Sequence, residues 1–142
     1  MSKQIAVCLV ALIALAIAFE TTPARVDTTT PPLVKTIVDK QLGRVLTTAG
    51  TRAIYVWNKE PRGTIRCTAA CARAWPPVIV KAGVVVPLHV KGIVGTFGTL
   101  RRPNGARQLT FNRRALYTYA HEKPGQVLCN NVDSWFAVKV RG

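Results

Sequence analysis

The feature that most constrains the fold is a motif that occurs twice, as AIYVWNKEPRG at residues 53–63 and as ALYTYAHEKPG at residues 115–125. Each copy reads alanine, a branched aliphatic residue, tyrosine, any residue, an aromatic ring, two residues and then glutamate. The match extends beyond the motif, because Cys67 and Cys129 each lie twelve residues after the motif tyrosine. A tryptophan follows in both halves, at Trp75 and Trp135. This order predicts an internal duplication, with repeats at about residues 40–82 and 95–140.

Both predicted repeats have the pattern of β structure. Residues 45–48 and 53–57 alternate apolar and polar positions around a turn at Ala49-Gly50, which predicts a hairpin. Residues 95–101 and 108–111 flank Arg102-Pro103-Asn104-Gly105, and Asn-Gly between alternating segments is a strong hairpin signal. Leu116–Tyr119 is predicted to follow as a strand. The valine-rich stretches 84–87 and 90–94 are further strand candidates.

One segment departs from the β pattern. The residues CTAACARAW, at positions 67–75, are rich in alanine and end at Pro76-Pro77, which predicts a short helix at about residues 68–74. This helical turn carries Cys67 and Cys71. The predicted fold is therefore mostly β: a single small antiparallel domain built from two internal repeats, with one short cysteine-bearing helical turn.

The N-terminal residues have the pattern of a secretory signal peptide. Lys3 precedes an unbroken apolar run at residues 5–19, and Ala16 and Ala18 suit a cleavage site after residue 18. Cleavage after Ala24 is the second choice. A membrane anchor is the alternative, but Glu20 ends the run before the roughly 20 apolar residues that a span needs. We therefore predict a signal peptide at 1–18, a flexible Thr/Pro-rich tether at 19–37 and the domain at 38–142.

Taken together, these motifs resemble the secreted-repeat family, bacterial proteins described as predicted lipoproteins with a Y-x-[FWY]-x-x-D motif. The resemblance covers about residues 38–140 and implies an exported, envelope-associated protein with no established reaction. The matching positions are Tyr55, Trp57 and Glu60; Cys67, Cys71, Ala72, Trp75, Pro76 and Pro77; Gly105, Gln108, Phe111 and Asn112; and Leu116, Tyr117, Tyr119 and Glu122.

The chain departs from the family pattern at several positions. Glu60 and Glu122 stand where the family usually has aspartate, and Arg113 stands where it tends to have glycine. An arginine at a position of positive φ is strained where glycine is not, so the turn at Arg113 is expected to be reshaped. Cys129 is outside the usual pattern. Cys8 lies inside the apolar run, where it reads as an apolar filler, so the mature protein is expected to carry no lipid.

Three cysteines remain after cleavage, and an oxidising compartment favours pairing of nearby thiols. The i, i+4 spacing on a helical turn favours a Cys67–Cys71 disulfide, which leaves Cys129 free. The competing pairing is Cys71–Cys129, which would join the two repeats.

The motif residues have two possible roles. In the structural role, Tyr55, Trp57, Tyr117 and Tyr119 fill the core, while the glutamate that follows each pair accepts backbone N–H groups. In the binding role, the aromatic rings form the walls of a pocket with a carboxylate at its mouth, for a cation or a flat ligand. The duplication favours the structural role, because fold-determining residues are the ones a repeat must keep. Trp75 and Trp135 complete the set of motif residues.

No cofactor or metal is predicted. If a metal is bound, the candidate ligands are His121, Cys129, Glu60 and Glu122. No catalytic signature such as G-x-S-x-G, H-E-x-x-H or a Gly-rich phosphate loop occurs, so we expect a protein that is not an enzyme. The alternative is a metal- or cofactor-binding redox accessory protein of the envelope.

The charge favours an anionic partner. Loss of Lys3 with the leader lowers the formal net charge only from +14 to +13, which attracts the chain to anionic envelope surfaces or polymers. The arginines between Leu100 and Arg114 are expected to form a solvated outer face. No nucleic-acid fold signature accompanies them, so no specific nucleic-acid partner is predicted. The expected function is a secreted or periplasmic, non-enzymatic, envelope-associated protein that binds or coats an anionic or small-molecule partner.

Overall fold

The computed structural model describes residues 32–141 as eight short strands and one short helix. The elements are β1 (Val34–Asp39), β2 (Gly43–Thr48), β3 (Tyr55–Trp57), α1 (Ala69–Ala74), β4 (Ile79–Val80), β5 (Phe97–Arg101), β6 (Arg107–Phe111), β7 (Arg114–Ala115) and β8 (Trp135–Ala137). All pairings between these strands are antiparallel, which confirms the mostly β class with a short helix between Cys67 and Trp75. The predicted signal peptide and most of the predicted tether lie outside the described residues.

Two hairpins supply the longest pairings. In the first, β1 pairs with β2 from Val34↔Thr48 to Asp39↔Gly43. The predicted tether at 19–37 is therefore wrong for residues 34–37, which are β strand, because their backbone pairs with β2 from Val34↔Thr48 to Ile37↔Val45. In the second hairpin β5 pairs with β6, and the Asn104 side chain accepts the Ala106 N–H in the turn before β6. This second hairpin is as predicted.

The hairpin predicted for residues 45–57 is only partly formed. Residues 45–48 pair mainly with β1, and their link to the following segment is a single bridge, Thr47↔Ala53. β3 pairs instead with β8, with Tyr55 opposite Ala137 and Trp57 opposite Trp135. The two halves therefore exchange a segment. β8, at Trp135 in the second half, pairs with β3 of the first half, and β4, which follows Trp75 in the first half, pairs with β6 of the second.

The backbone hydrogen bonds of the two halves match at this exchange. In the first half, Leu46 N donates to Val138 O (2.8 Å), Val138 N to Ile54 O (2.9 Å), and Ile54 N to Leu46 O (2.9 Å). The corresponding bonds in the second half join Leu109 N to Val78 O (2.8 Å), Val78 N to Leu116 O (2.9 Å) and Leu116 N to Leu109 O (3.0 Å). Between the halves, Tyr55 and Tyr117 exchange N–H···O bonds of 2.8 and 3.0 Å. The two motif tyrosines therefore occupy corresponding positions in two matching hydrogen-bond patterns.

Three local predictions differ from the structure. The valine-rich stretches 84–87 and 90–94 are loops, because Pro87 has no N–H and the turns at Gly83 and Gly92 interrupt pairing; only the bridge Val90↔Ile93 forms. Leu116–Tyr119 is not a regular strand, since only Tyr117 forms bridges, to Tyr55 and Pro77. Arg113 adopts φ 65° beside Asn112 at φ 49°, so the turn between β6 and β7 keeps the left-handed geometry without glycine.

The interior contains two clusters of buried side chains. One is aliphatic with Phe97 and Phe111, and lies beneath the two hairpins. The other contains the motif aromatics and the cysteines, around the Tyr55–Tyr117 bridge. None of the helices in residues 32–141 has the length and hydropathy to cross a membrane.

Candidate functional site: the paired tyrosine–glutamate cluster

Each motif tyrosine donates its hydroxyl proton to the glutamate of the other motif. Tyr117 Oη lies 2.8 and 3.0 Å from the two carboxylate oxygens of Glu60. Tyr55 Oη donates to Glu122 Oε1 in the same way. All four side chains are buried, with both tyrosines at 0% exposure and the glutamates at 5% and 3%. The 62-residue spacing therefore produces two reciprocal bonds between the halves.

The same carboxylates also accept backbone N–H groups of the loops that follow. Glu60 Oε1 accepts the N–H groups of Arg66 and Cys67, the latter at 3.1 Å. Glu122 Oε1 accepts the N–H of Leu128, and the N–H of Cys129 donates to Tyr55 Oη at 3.3 Å. Each glutamate thus fixes the loop that leads to the cysteine of its own half. This arrangement agrees with the structural role considered for the motif.

Burial controls the ionisation of the two tyrosines. Loss of solvation raises the pKa of Tyr55 far above its ordinary value, and the hydrogen bond to Glu122 raises it further. The pKa of Tyr117 rises for the same two reasons, burial first and then the bond to Glu60. Both hydroxyls therefore remain donors to the carboxylates throughout the pH range in which free tyrosine would begin to ionise.

The two pairs differ in their surroundings. On the Glu60 side, the buried Arg102 donates to Gln108 Oε1 and to Cys67 O at 2.9 Å, and Gln108 Nε2 donates to Leu116 O at 2.8 Å. On the other side, Glu122 Oε2 has no hydrogen-bond partner among residues 32–141. The prediction that the arginines of residues 100–114 are solvated is wrong for Arg102, which is 7% exposed. One acceptor, Gln108, lies in the same hairpin, but the other, the Cys67 carbonyl, is 35 residues away, so the local pattern could not reveal the burial of Arg102.

The aromatic side chains form one stack in the middle of the cluster. Trp75 and Trp135 are parallel, with ring centroids 3.9 Å apart, and Trp135 also stacks on Trp57 at 5.5 Å. Tyr55 meets Trp75 edge-on at 5.3 Å, and Tyr117 meets Trp135 edge-on at 5.2 Å. Tyr119 tilts onto Trp75 at 4.8 Å. The structure therefore brings every predicted motif residue into one cluster, with only Trp57 and Tyr119 half-buried.

Cys67 and Cys71 form a disulfide beside this stack, with a Cα–Cα distance of 5.2 Å. This confirms the local pairing over the alternative Cys71–Cys129. Cys129 is free and half-buried. Burial raises the pKa of its thiol, and the nearby Glu122 charge adds to the effect. The thiol is therefore kept protonated and weakly nucleophilic.

We expect reduction of this disulfide to loosen α1 without unfolding the domain. The loop it closes spans only four residues of sequence separation, so the chain-entropy gain is small, about 2 kcal/mol. Protein recovered after export should show one free thiol, and alkylation with mass mapping should place it at Cys129. The control is Cys129→Ser, which should show no free thiol and nearly unchanged melting. A free Cys67 or Cys71 in the oxidised protein would contradict this assignment.

The candidate metal ligands do not form a metal site. Across residues 32–141, no group of three or more His, Cys, Asp or Glu side chains is placed to hold a metal ion. Glu60 and Glu122 are occupied by tyrosine and backbone donors. His121 is exposed at the surface, where its ring lies edge-on to Tyr119 at 5.4 Å.

Comparison with known proteins identified no relative. No family model matches the chain, and no curated protein and no solved structure matches it at the threshold used.

Proposed function

We propose that this chain is an exported, envelope-associated protein of the secreted-repeat family, built by internal duplication, that binds an anionic partner through its basic surface and catalyses no reaction. The Cys67–Cys71 disulfide is consistent with an oxidising compartment. In this proposal the motif aromatics and glutamates hold the two halves together, and the outer surface performs the binding.

The observation that supports the proposal is the imbalance of exposed charge. Among residues 32–141, thirteen cationic side chains are exposed and Asp133 is the single exposed carboxylate. The exposed cations are Lys35, Lys40, Lys59, Arg62, Arg66, Arg73, Lys81, Lys91, Arg101, Arg113, Lys123, Lys139 and Arg141. Two of the remaining acids, Glu60 and Glu122, are buried. An outer surface of nearly one sign attracts polyanions and repels other copies of the chain.

A basic patch suited to such binding consists of Arg62, Arg66, Arg113 and Arg114, which we call the arginine patch. The loop of residues 61–64 is joined to the β6–β7 turn by the bond from Gly63 N to Arg113 O (2.8 Å). Burial lowers the pKa of Arg114, and the positive charge of Arg62 lowers it further. Arginine pairs with phosphate and carboxylate groups through two parallel hydrogen bonds.

The experiment measures binding of the purified protein to polyphosphate, a lipid-free polyanion, at increasing salt. We expect binding that weakens more than tenfold between low and physiological ionic strength, because exposed charges are screened. The double variant Arg62→Gln/Arg113→Gly should weaken binding about thirtyfold, from two lost cation contacts. Arg113→Gly also suits the φ of 65° at that position, so the variant should fold.

The matched control removes two exposed cations elsewhere, Lys40→Gln and Lys123→Gln. It should weaken binding less than the arginine-patch variant, because lysine lacks the bidentate geometry of arginine. Binding that does not depend on salt, or no binding of wild-type protein to polyphosphate, would defeat the proposed function.

A further inference from the structure

We propose that a groove beside β4 docks onto an anionic phospholipid bilayer. This inference rests on the proposed function and names both the surface and the partner. The groove has a volume of about 630 Å³, and its walls include Ile79, Val84, Val85, Val90, Lys81 and Lys91. We call it the valine groove.

Several large apolar side chains in and next to the valine groove are exposed to solvent, which is energetically unfavourable. Val85 is 84% exposed and Ile79 is 45% exposed, and Leu88 in the same loop is 61% exposed. Contiguous apolar surface of this kind marks an interaction site more often than isolated exposed residues do. Val85 and Leu88 lie in the loop after β4, so they can enter a lipid surface without breaking backbone pairing, whereas Ile79 belongs to β4 itself.

Cations border this apolar surface, and no carboxylate is among the described residues that line it. Lys81 and Lys91 line the groove together with the valines. Lysine side chains next to exposed apolar side chains suit an anionic membrane surface. The ammonium groups contact the lipid phosphates, and the apolar side chains reach the boundary between headgroups and acyl chains. A protein partner would need complementary acids and a fixed shape, whereas a bilayer needs only this pairing of charge and apolar surface.

The course of the chain supports the same partner. Pro32, the first described residue, lines the valine groove. Residues 20–31 separate it from the apolar run at 5–19, and twelve extended residues span about 40 Å at most. If the predicted leader is held in the membrane, a link of this length allows the groove to reach the lipid surface.

A second groove, formed at the β1–β2 hairpin turn, is the natural comparison. It has a volume of about 550 Å³ and is lined by Val38 and Leu128 together with Asp39, Lys40 and Asn130. Val38 is 79% exposed and Leu128 59% exposed, close to the values for Val85 and Leu88. The one lysine of this second groove is offset by a carboxylate, so it matches anionic lipid less well than the valine groove does. Val38 and Leu128 therefore provide a control pair whose exposure is close to that of Val85 and Leu88.

The test is co-sedimentation with vesicles of equimolar phosphatidylglycerol and phosphatidylcholine, using protein recovered after export. The variant Val85→Ser/Leu88→Ser should bind these vesicles at least about tenfold more weakly than wild type, from the lost apolar burial. Its binding to polyphosphate should not change. The control Val38→Ser/Leu128→Ser should match wild type on both. All proteins carry the same N-terminal residues, so any contribution of that segment cancels.

The outcomes separate the two proposals. Lysine removal by Lys81→Gln/Lys91→Gln should weaken binding to the anionic vesicles, and wild-type protein should bind pure phosphatidylcholine vesicles poorly. If the valine-groove variant binds anionic vesicles as well as wild type does, the docking proposal is wrong while the proposed function stands. If that variant instead changes the melting temperature or the oligomeric state with vesicle binding intact, the groove is covered by this chain or a second copy, which also overturns it. Loss of all anionic binding in wild type would defeat the proposed function itself.

Discussion

Raising the pH above 10 should unfold this protein steeply, because two buried tyrosines resist ionisation. The pKa of a free tyrosine is about 10, and burial and carboxylate hydrogen bonds raise those of Tyr55 and Tyr117 well above this value. Above pH 10 the unfolded chain releases these protons while the folded protein keeps them, so the unfolded state is favoured. Each tyrosine then removes about 1.4 kcal/mol of stability per pH unit. Below pH 10 the contribution is fully present.

For the pair, the loss is nearly 3 kcal/mol per pH unit, and a typical domain stability of about 5–15 kcal/mol would be consumed within a few units. Denaturant unfolding at pH 9, 10 and 11 measures this slope. Tyr55→Phe and Tyr117→Phe should each remove about half of this pH-dependent slope. Each variant should also have a lower free energy of unfolding than wild type at neutral pH, because a buried hydrogen bond is lost.

The control for this titration is Tyr119→Phe. Tyr119 is half-buried against Trp75 and is not a donor to either motif glutamate, so this variant measures what loss of a hydroxyl outside the two buried pairs does to the slope. Absorbance of tyrosinate should show Tyr55 and Tyr117 ionising together with loss of secondary structure. Ionisation of Tyr55 and Tyr117 in a still-folded protein at pH 11 would contradict the buried hydrogen bonds.

The sequence predicts which residues form the aromatic and glutamate cluster better than it predicts which of them bond to each other. The spacing of Tyr55 and Tyr117, with the residues that follow, indicated that equivalent positions would exist. It could not indicate that each tyrosine bonds the glutamate of the other half, because the order of residues is the same for bonds within a half and between halves. Which strand lies beside which is decided by long-range packing, and β3 pairs with β8 rather than with its neighbour in sequence.

The failures have local physical causes. Residues 34–37 of β1 are predicted as tether because the Thr/Pro-rich stretch before them lacks periodicity, whereas their strand character depends on pairing with β2. The valine-rich loops have high β propensity but do not pair with the edge of a sheet. They stay irregular because β propensity mostly reflects how well a side chain packs within a sheet. Arg102 is buried because Gln108 of the same hairpin and the distant Cys67 carbonyl satisfy its guanidinium, and the second contact does not follow from its neighbours in the hairpin.

Replacement of Trp135 by alanine should be among the most destabilising truncations in the aromatic cluster. Trp135 is 3% exposed and contacts Trp75, Trp57 and Tyr117. Truncation of a buried tryptophan costs about 3–5 kcal/mol, through lost burial and the cavity that remains. The melting temperature, followed by far-UV circular dichroism, should fall by more than about 10 °C. Trp57→Ala, at the half-buried end of the stack, should cost clearly less.

The equivalence of the two halves makes a sharper prediction for the tryptophan pair. Trp75 and Trp135 occupy matching positions, each meeting one motif tyrosine edge-on, so Trp75→Ala should cost about as much as Trp135→Ala. Because the two indoles stack at 3.9 Å, each truncation already removes their shared contact, and the double variant should be less destabilised than the sum by about 1–3 kcal/mol. Phe97→Leu lies in the other cluster, so its cost should add to that of Trp135→Ala within about 0.5 kcal/mol. If the two tryptophan truncations add as independently as that control pair, the stack does not join the two halves.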